Sequence, residues 1–141
     1  MPSTYSQSLK LELIADGEQA GTWGDTTNKN LGTLLEQAIT GVATITMTDA
    51  DYTLSNLNGL SDEARNAVII ATGTNTALRN IIAPLVPKEY TVVNNTTGGY
   101  PVTIGASTGT TITVGNGISK NVYCDGSTGF YQTLVTTGGT F

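Results

Sequence analysis

Paired carboxylates are the side chains of this sequence whose types and spacing come closest to a catalytic site. Asp49 stands two residues before Asp51, and Asp62 stands beside Glu63. Glycosidases use two such carboxylates. Both pairs here lie in segments typical of turns, where Asp commonly caps local backbone, and the sequence contains no histidine, the commonest general base. We therefore predict structural roles for these carboxylates and no enzymatic activity.

Metal binding and thiol chemistry have equally weak signals. Residues 49–59, DADYTLSNLNG, contain oxygen ligands as a calcium loop does, but they lack its Asp-x-Asp-x-Asp-Gly core and its terminal bidentate Glu. The single cysteine, Cys124, excludes an internal disulfide and a multi-cysteine metal site. In the run NVYCDG we expect a small buried hydrophobic residue rather than a reactive thiolate. The sequence thus predicts no cofactor and no metal.

Aromatic side chains leave carbohydrate binding open as an alternative. Five of them follow turn signals or end predicted strands and are candidates for a sugar platform: Tyr90, Tyr100, Tyr123, Phe130 and Tyr131. We single out Tyr100 and Tyr131 as the candidate glycan contacts. The five rings are spread over several strands rather than grouped on one loop, which favours packing in the core over a binding site.

Composition points to a β-rich subunit of an assembly. The 141 residues fit one domain. Threonine is the commonest residue and glycine follows with 17, a mixture typical of short strands and tight turns. Charged residues make up only 12%, well below the usual quarter, which a subunit covered by neighbours tolerates better than a free monomer. The net charge of −5 and six scattered basic residues argue against nucleic-acid binding.

The N-terminal third carries the candidate docking residues. In SLKLELI, alternating leucines predict a strand or extended arm. Asp25 is the expected N-cap of an amphipathic helix that ends at Gly41. The sole tryptophan, Trp23, lies between glycines just before this helix and is either a plug in its own core or an anchor buried against another subunit. The candidate partner-docking residues are Leu9, Leu11, Leu13, Trp23, Leu31, Leu34, Leu35 and Ile39.

Downstream, short apolar runs alternate with turn signals about every ten residues. Nine strands are predicted: 42–48, 51–55, 67–72, 78–82, 90–94, 102–106, 111–114, 121–124 and 130–135. This spacing is typical of a β-sandwich or jelly-roll-like fold. The fold class is therefore mainly β, with an N-terminal arm and docking helix over residues 1–41 and a β-sandwich module over residues 42–141. No apolar run is long enough to span a membrane and no signal peptide is evident, so we expect a protein made in the cytoplasm.

Two stretches resemble a known family. Residues 17–32 match the motif G-x-x-x-G-x-W-G-x-x-T-N-x-N-L-G, found near the N-terminus of many virion proteins of tailed bacteriophages, through Gly17, Gly21, Trp23, Gly24, Thr27, Asn28, Asn30, Leu31 and Gly32. Residues 62–66, 94–99 and 122–126 are similar to β-modules of tail-fibre-like and particle-surface proteins of the same group.

This resemblance implies a non-enzymatic structural protein of a phage particle that is assembled in the cytoplasm of the host bacterium. Such modules are usually homotrimers, so the implied partners are further copies of the chain and other virion proteins of the capsid or tail. Tail-fibre relatives continue into a shaft and a receptor-binding tip. Because this sequence ends soon after the module, a capsid decoration (cement) protein or a short tail adaptor is expected. The alternative is a carbohydrate-binding module that contacts the host receptor.

Overall fold

The computed structural model describes residues 2–133. Two short strands, β1 (Thr4–Tyr5) and β2 (Glu12–Leu13), precede one helix, α1. Helix α1 consists of an α-helical part Trp23–Lys29, a π-helical part Asn30–Leu35 and a second α-helical part Glu36–Thr40. Nine strands follow: β3 (Val42–Met47), β4 (Tyr52–Thr53), β5 (Val68–Gly73), β6 (Arg79–Ile82), β7 (Lys88–Asn94), β8 (Val102–Gly105), β9 (Ile112–Val114), β10 (Ser119–Cys124) and β11 (Phe130–Gln132).

From β3 to β8 the chain winds back and forth between two sheets. Each coil of the chain contributes one strand to the large sheet and one strand to the small sheet. The large sheet has the order β11-β10-β7-β5-β3 and the small sheet the order β4-β6-β8-β9. Strands from successive coils pair in parallel, so Val42 lies beside Val68 and Val68 beside Thr91. A parallel pair needs a long crossover connection. Here the strand in the opposite sheet serves as that crossover.

Antiparallel strands complete both sheets beyond the third coil. Strand β9 pairs with β8 in the small sheet, while β10 pairs with β7 and then with β11 in the large sheet. An isolated bridge between Thr110 and Gly129 links the connections that precede β9 and β11. The sheets are therefore mixed, and they do not close into a barrel.

One hydrophobic core lies between the sheets because the strands alternate inward and outward residues. In β3, Ile45 and Met47 are buried while Thr44 and Thr46 are exposed. The buried residues of both sheets form a single cluster. Its members on the strands are Ile45, Met47, Ile69, Ala71, Ile81, Tyr90, Val92, Val102, Ile104, Val114, Val122, Cys124 and Phe130.

Glycines occupy the same corner of successive coils. Gly73 ends β5 at a φ of +96°, and a Cβ there would lie 2.2 Å from the carbonyl oxygen of Met47. One coil later, Gly98 has a φ of +107°, and a Cβ would lie 2.1 Å from the carbonyl oxygen of Asn75. Only glycine combines this left-handed backbone with such a close approach. These two positions set how tightly the coils stack.

The prediction of a mainly β chain with one N-terminal helix is confirmed, and each of the nine predicted strands overlaps an observed one. Jelly rolls are built from antiparallel strands, whereas three strands of each sheet are parallel here. Residues 134–135 of the last predicted strand lie outside the described residues. The proposed boundary at residue 41 stays a prediction.

Candidate docking surface

The predicted arm is a folded hairpin rather than one extended strand. Strand β1 pairs antiparallel with β2, so that Thr4 lies opposite Leu13. Lys10 adopts a left-handed φ of +54°, which breaks the leucine alternation that predicted a strand through this segment. Leu9 and Leu11 are half-buried, and Leu13 is 50% exposed. The hairpin's main chain is largely engaged within its own subunit.

Asn30 of the helix holds this hairpin in place. Its side-chain amide accepts a hydrogen bond from the backbone N–H of Glu12 at 3.1 Å and donates one to the carbonyl oxygen of the same residue at 2.8 Å. The amide thus makes the two bonds that a neighbouring strand would make. Gln19 adds a bond from its Nε2 to the Glu12 carboxylate at 2.6 Å.

A buried guanidinium ties the hairpin to the β-domain. Arg65 is only 2% exposed, and its Nε donates to the carbonyl oxygen of Leu9 at 2.7 Å. Its terminal nitrogens donate to the carbonyl oxygens of Leu57, at 3.0 Å, and Leu60. The Asp62 carboxylate lies 3.5 Å from Nη1, and both side chains of this ion pair are 1% exposed. Close by, the Gly59 amide donates to the carbonyl oxygen of Lys10 at 2.8 Å.

The helix begins three residues earlier than the sequence predicts. Thr22 occupies the N-cap position without a side-chain cap, and Asp25 lies inside the first turn, so the prediction of Asp25 as N-cap is wrong. Backbone geometry explains the early start, since Gly21 at a φ of +83° turns the chain directly into Trp23. An acidic residue in the first turn still interacts favourably with the helix dipole. The helix ends at Gly41, as predicted, but that residue is extended rather than left-handed.

The π-helical part redistributes the predicted apolar stripe. A π turn contains nearly one residue more than an α turn, so residues eight apart across this part, one π turn and one α turn, return to the same face. Leu31 and Ile39 have this spacing and are 59% and 67% exposed. Leu35 between them is half-buried, while Leu34 is fully buried and lies outside the exposed surface.

Exposed apolar side chains gather where the hairpin meets the helix. Leu13 and Leu31 line a groove of about 380 Å³ together with Leu11, Glu12, Ile14, Thr27 and Asn30. Trp23 begins the same helix and is 60% exposed. We call Leu13, Trp23 and Leu31 with this groove the docking surface. Large hydrophobic side chains that stay exposed on an ordered scaffold are typical of interaction sites.

The two candidate glycan contacts lie apart. Tyr131 pairs in register with Tyr123, which in turn lies opposite Glu89 near the start of β7. Tyr100 follows the other end of β7, where its carbonyl oxygen accepts a bond from Asn94. Tyr131 therefore pairs with Tyr123, at 5.7 Å between ring centroids, whereas the stacked pair of Tyr90 with Phe130 is buried in the core.

The paired carboxylates accept hydrogen bonds from nearby residues of the same chain. Asp49 accepts from Thr76 and, at 2.9 Å, from Arg79, and the Thr76 bonds chiefly lower its pKa to about 2. Asp51 accepts from the backbone and side chain of Asn80. Asp62 belongs to the Arg65 ion pair described above. These bonds fix the connections between coils.

Glu63, the neighbour of Asp62, also accepts internal hydrogen bonds, and Cys124 is a buried core residue. Glu63 accepts from the Tyr52 hydroxyl at 2.6 Å and from the backbone of Ser55 at 2.9 Å. Cys124 is buried in the core, and this burial raises the pKa of its thiol. Within residues 2–133, no group of three or more His, Cys, Asp or Glu side chains is placed to hold a metal ion.

Lys88 is a half-buried cation of the β-domain. Its Nζ donates to the carbonyl oxygen of Asn66 at 3.2 Å and lies 4.2 Å from the centroid of the Tyr90 ring. Burial lowers the pKa of this ammonium to about 8.

The apolar residues of the docking surface are predicted from the sequence, but the roles of the polar residues that hold it are not. Neither the contact partner of Gly59 nor the burial of Arg65 is visible in a single sequence. Asn30 and Arg65 stand out only as positions of the two stretches, 17–32 and 62–66, that carry the resemblance. In the part of the chain that the structure describes, no helix is both long and apolar enough to cross a membrane. Comparisons with protein-family models, curated proteins and solved structures return no match to this chain.

Proposed function

We propose that this protein is a non-enzymatic structural component of a tailed bacteriophage particle. In this proposal it is a homotrimeric capsid decoration protein or a short tail adaptor, with a β-sandwich-type module. It attaches to other virion proteins through its N-terminal segment. The family and the trimer come from the resemblance of residues 17–32 and of the β-module to phage virion proteins. The structure supplies a physical basis for the attachment.

The observation that carries the proposal is the exposure of the sole tryptophan on a fixed scaffold. Trp23 is 60% exposed and Leu31 59% exposed, although the chain buries a complete core elsewhere. Trp is the residue most enriched among interface hot spots. Because hydrogen bonds from Asn30 and Arg65 already order the neighbouring hairpin, docking there loses little additional conformational entropy.

The main chain of the N-terminal hairpin limits how this segment can attach to a partner. Strand addition by SLKLELI would require free main-chain donors and acceptors. The carbonyl oxygens of Leu9, Lys10 and Glu12 and the amide of Glu12 all have partners within the chain. We therefore infer that side chains of the docking surface, rather than an added strand, make the contact.

A non-catalytic role accords with the polar groups of the fold. The carboxylates that resembled catalytic pairs accept several internal hydrogen bonds each. Such bonds stabilise turns, and the bonds to Asp49 and Asp51 also lower the pKa of these two carboxyls, which makes them poor proton acceptors. Sparse charge is likewise consistent with a surface that neighbours cover.

The test compares two leucines of similar exposure. Leu31→Asp places a charge on the docking surface, whereas Leu78→Asp places one on a β-domain loop where Leu78 is 44% exposed. Both variants are produced during phage assembly, particles are purified, and the chain is quantified in them. We expect wild-type and Leu78→Asp chains in the particles and at least a tenfold loss of Leu31→Asp. A wild-type chain that is absent from particles, or equal incorporation of both variants, contradicts the proposal; light scattering of the free chain tests the trimer.

A carbohydrate-binding module is the second candidate. The Tyr123–Tyr131 pair favours it, since the exposed Tyr123 ring and the half-buried Tyr131 ring beside it can stack on a sugar. Glycan-array binding that disappears in Tyr123→Ala and persists in Tyr100→Ala would support this function. Array signals equal to those of a blank surface would eliminate it.

A further inference from the structure

The loop of residues 57–65 in the β-domain holds the N-terminal hairpin by hydrogen bonds, an arrangement that we call the grip. Two bonds cross from loop to hairpin: Arg65 Nε to the Leu9 carbonyl oxygen at 2.7 Å and the Gly59 amide to the Lys10 carbonyl oxygen at 2.8 Å. Both acceptors lie just before β2, the strand that supplies Leu13 to the docking surface. The grip therefore acts on the hairpin directly beside the groove.

Arg65 is the centre of this grip. Its guanidinium contacts the hairpin at Leu9, the loop at Leu57 and Leu60, and the helix, where the Gln37 side-chain oxygen lies 3.5 Å from Nη1. A planar guanidinium with five donors can serve several carbonyl groups at once, which an ammonium cannot do in the same geometry. One buried side chain thus fixes the relation between hairpin, helix and β-domain.

The ion pair with Asp62 keeps the guanidinium oriented. The Asp62 carboxylate also accepts from the backbone amides of Arg65 and Leu57, both at 2.7 Å. A buried charge pair in which each partner has further hydrogen bonds is held in one geometry. This arrangement predetermines where Nε points, and it points at the hairpin.

Gly59 completes the grip by its shape. Its φ is +63°, and a Cβ at this position would lie 3.1 Å from Cε1 of Tyr5 in strand β1. A side chain here would strain the loop and press on the hairpin. The absence of a Cβ lets the two segments approach closely enough for the amide bond to Lys10.

We propose that Arg65, supported by Gly59, is the positioning residue of the docking surface. It holds the hairpin against the helix so that Leu13 and Leu31 line one preformed groove for the partner, on the helix that Trp23 begins. This inference rests on the proposed docking function. It assigns to the β-domain loop a part in attachment that the loop performs without touching the partner.

Hydrogen exchange on the full-length isolated chain tests the positioning itself. The variants are Arg65→Lys, which keeps the charge but loses the planar fork, and Gly59→Ala, which leaves the ion pair intact. Arg79→Lys is the matched control, since Arg79 pairs with Asp49 away from the hairpin. We expect the amide of Glu12 to exchange at least tenfold faster in both test variants, with β7 and β10 unchanged. Unchanged exchange at Glu12, or equal acceleration in β7 and β10, would overturn the inference; Gly59→Ala decides it if Arg65→Lys does not fold.

Binding of the same proteins to particles that lack this chain separates the inference from the proposed function. Wild-type and Arg79→Lys chains should bind equally, and Arg65→Lys and Gly59→Ala should bind at least fivefold more weakly. Equal binding by all four proteins would refute a positioning role. Failure of the wild-type chain to bind would refute the proposed function alone, because the exchange data judge the hairpin independently.

Discussion

Truncating Trp23 should weaken docking more than folding. A tryptophan side chain can bury roughly 250 Å², and Trp23 is 60% exposed, which leaves about 150 Å² for a partner to cover. At about 25 cal/mol per Å² this area is worth about 4 kcal/mol. Ordering the side chain costs about 1 kcal/mol. We therefore expect Trp23→Ala to reduce the affinity for particles by about 3 kcal/mol, or roughly a hundredfold in Kd.

The area of Trp23 that is already covered limits how much Trp23→Ala can lower the free energy of unfolding. The covered part of Trp23 is about 100 Å², so its loss lowers the free energy of unfolding by no more than about 2 kcal/mol, and the better helix propensity of alanine offsets some of this. Binding to particles that lack the chain is measured by sedimentation, and unfolding by urea titration followed by circular dichroism. Tyr100→Ala is the control, because it removes an exposed ring from the β-domain. An affinity loss below threefold, or one that Tyr100→Ala reproduces, would refute the reasoning.

Three further predictions concern the β-domain and its junction with the helix. Gly41→Ala should lower the free energy of unfolding by about 1–3 kcal/mol, because a Cβ would lie 2.3 Å from the Gln37 carbonyl oxygen and 2.4 Å from Oδ1 of Asn66; an unchanged urea midpoint would contradict this. Lys88 has a folded pKa of about 8 against 10.5, so the unfolded chain binds more protons between these values and Lys88 makes stability rise with pH there. Comparing the pH slopes of wild type and Lys88→Met between pH 8 and 9.5 isolates this contribution, and equal slopes would exclude it. Asp49 has a folded pKa of about 2 against 3.8, so its stabilisation is present above pH 4 and is lost as pH falls towards 2; the stability difference between wild type and Asp49→Asn should shrink over that range, and a constant difference would count against the Thr76 bonds as its source.

Strand positions were predictable because the residues carry a local signal. In the last four residues of β3 and of β10, buried apolar residues alternate with exposed ones. Glycine-rich turns separate the strands, so alternation and turn chemistry suffice to locate them. The pairing of these strands was not predictable in the same way. Parallel pairing of β3 with β5 depends on where the chain returns after 26 residues, from Val42 to Val68, and no local pattern records that path.

In the N-terminal segment, the sequence predicts the helix but not the geometry of the helix or of the hairpin. The helix and its apolar residues were visible in the spacing of Leu31, Leu34 and Leu35, but the π-helical part that turns Leu34 inward and leaves Leu31 outside was not. Likewise, SLKLELI has the alternation of a strand, yet contacts with Asn30 and Arg65 fold it into a hairpin. Tertiary hydrogen bonds override a short periodic signal here.

In the proposed function, another chain covers the docking surface in the assembled particle. Hydroxyl-radical footprinting read by mass spectrometry reports each side chain separately, in the free protein and in purified particles. We predict that oxidation of Trp23 falls at least fivefold on assembly while that of the control residue Leu78 changes less than twofold. Oxidation of Trp23 at the same rate in particles that contain the chain would contradict the account.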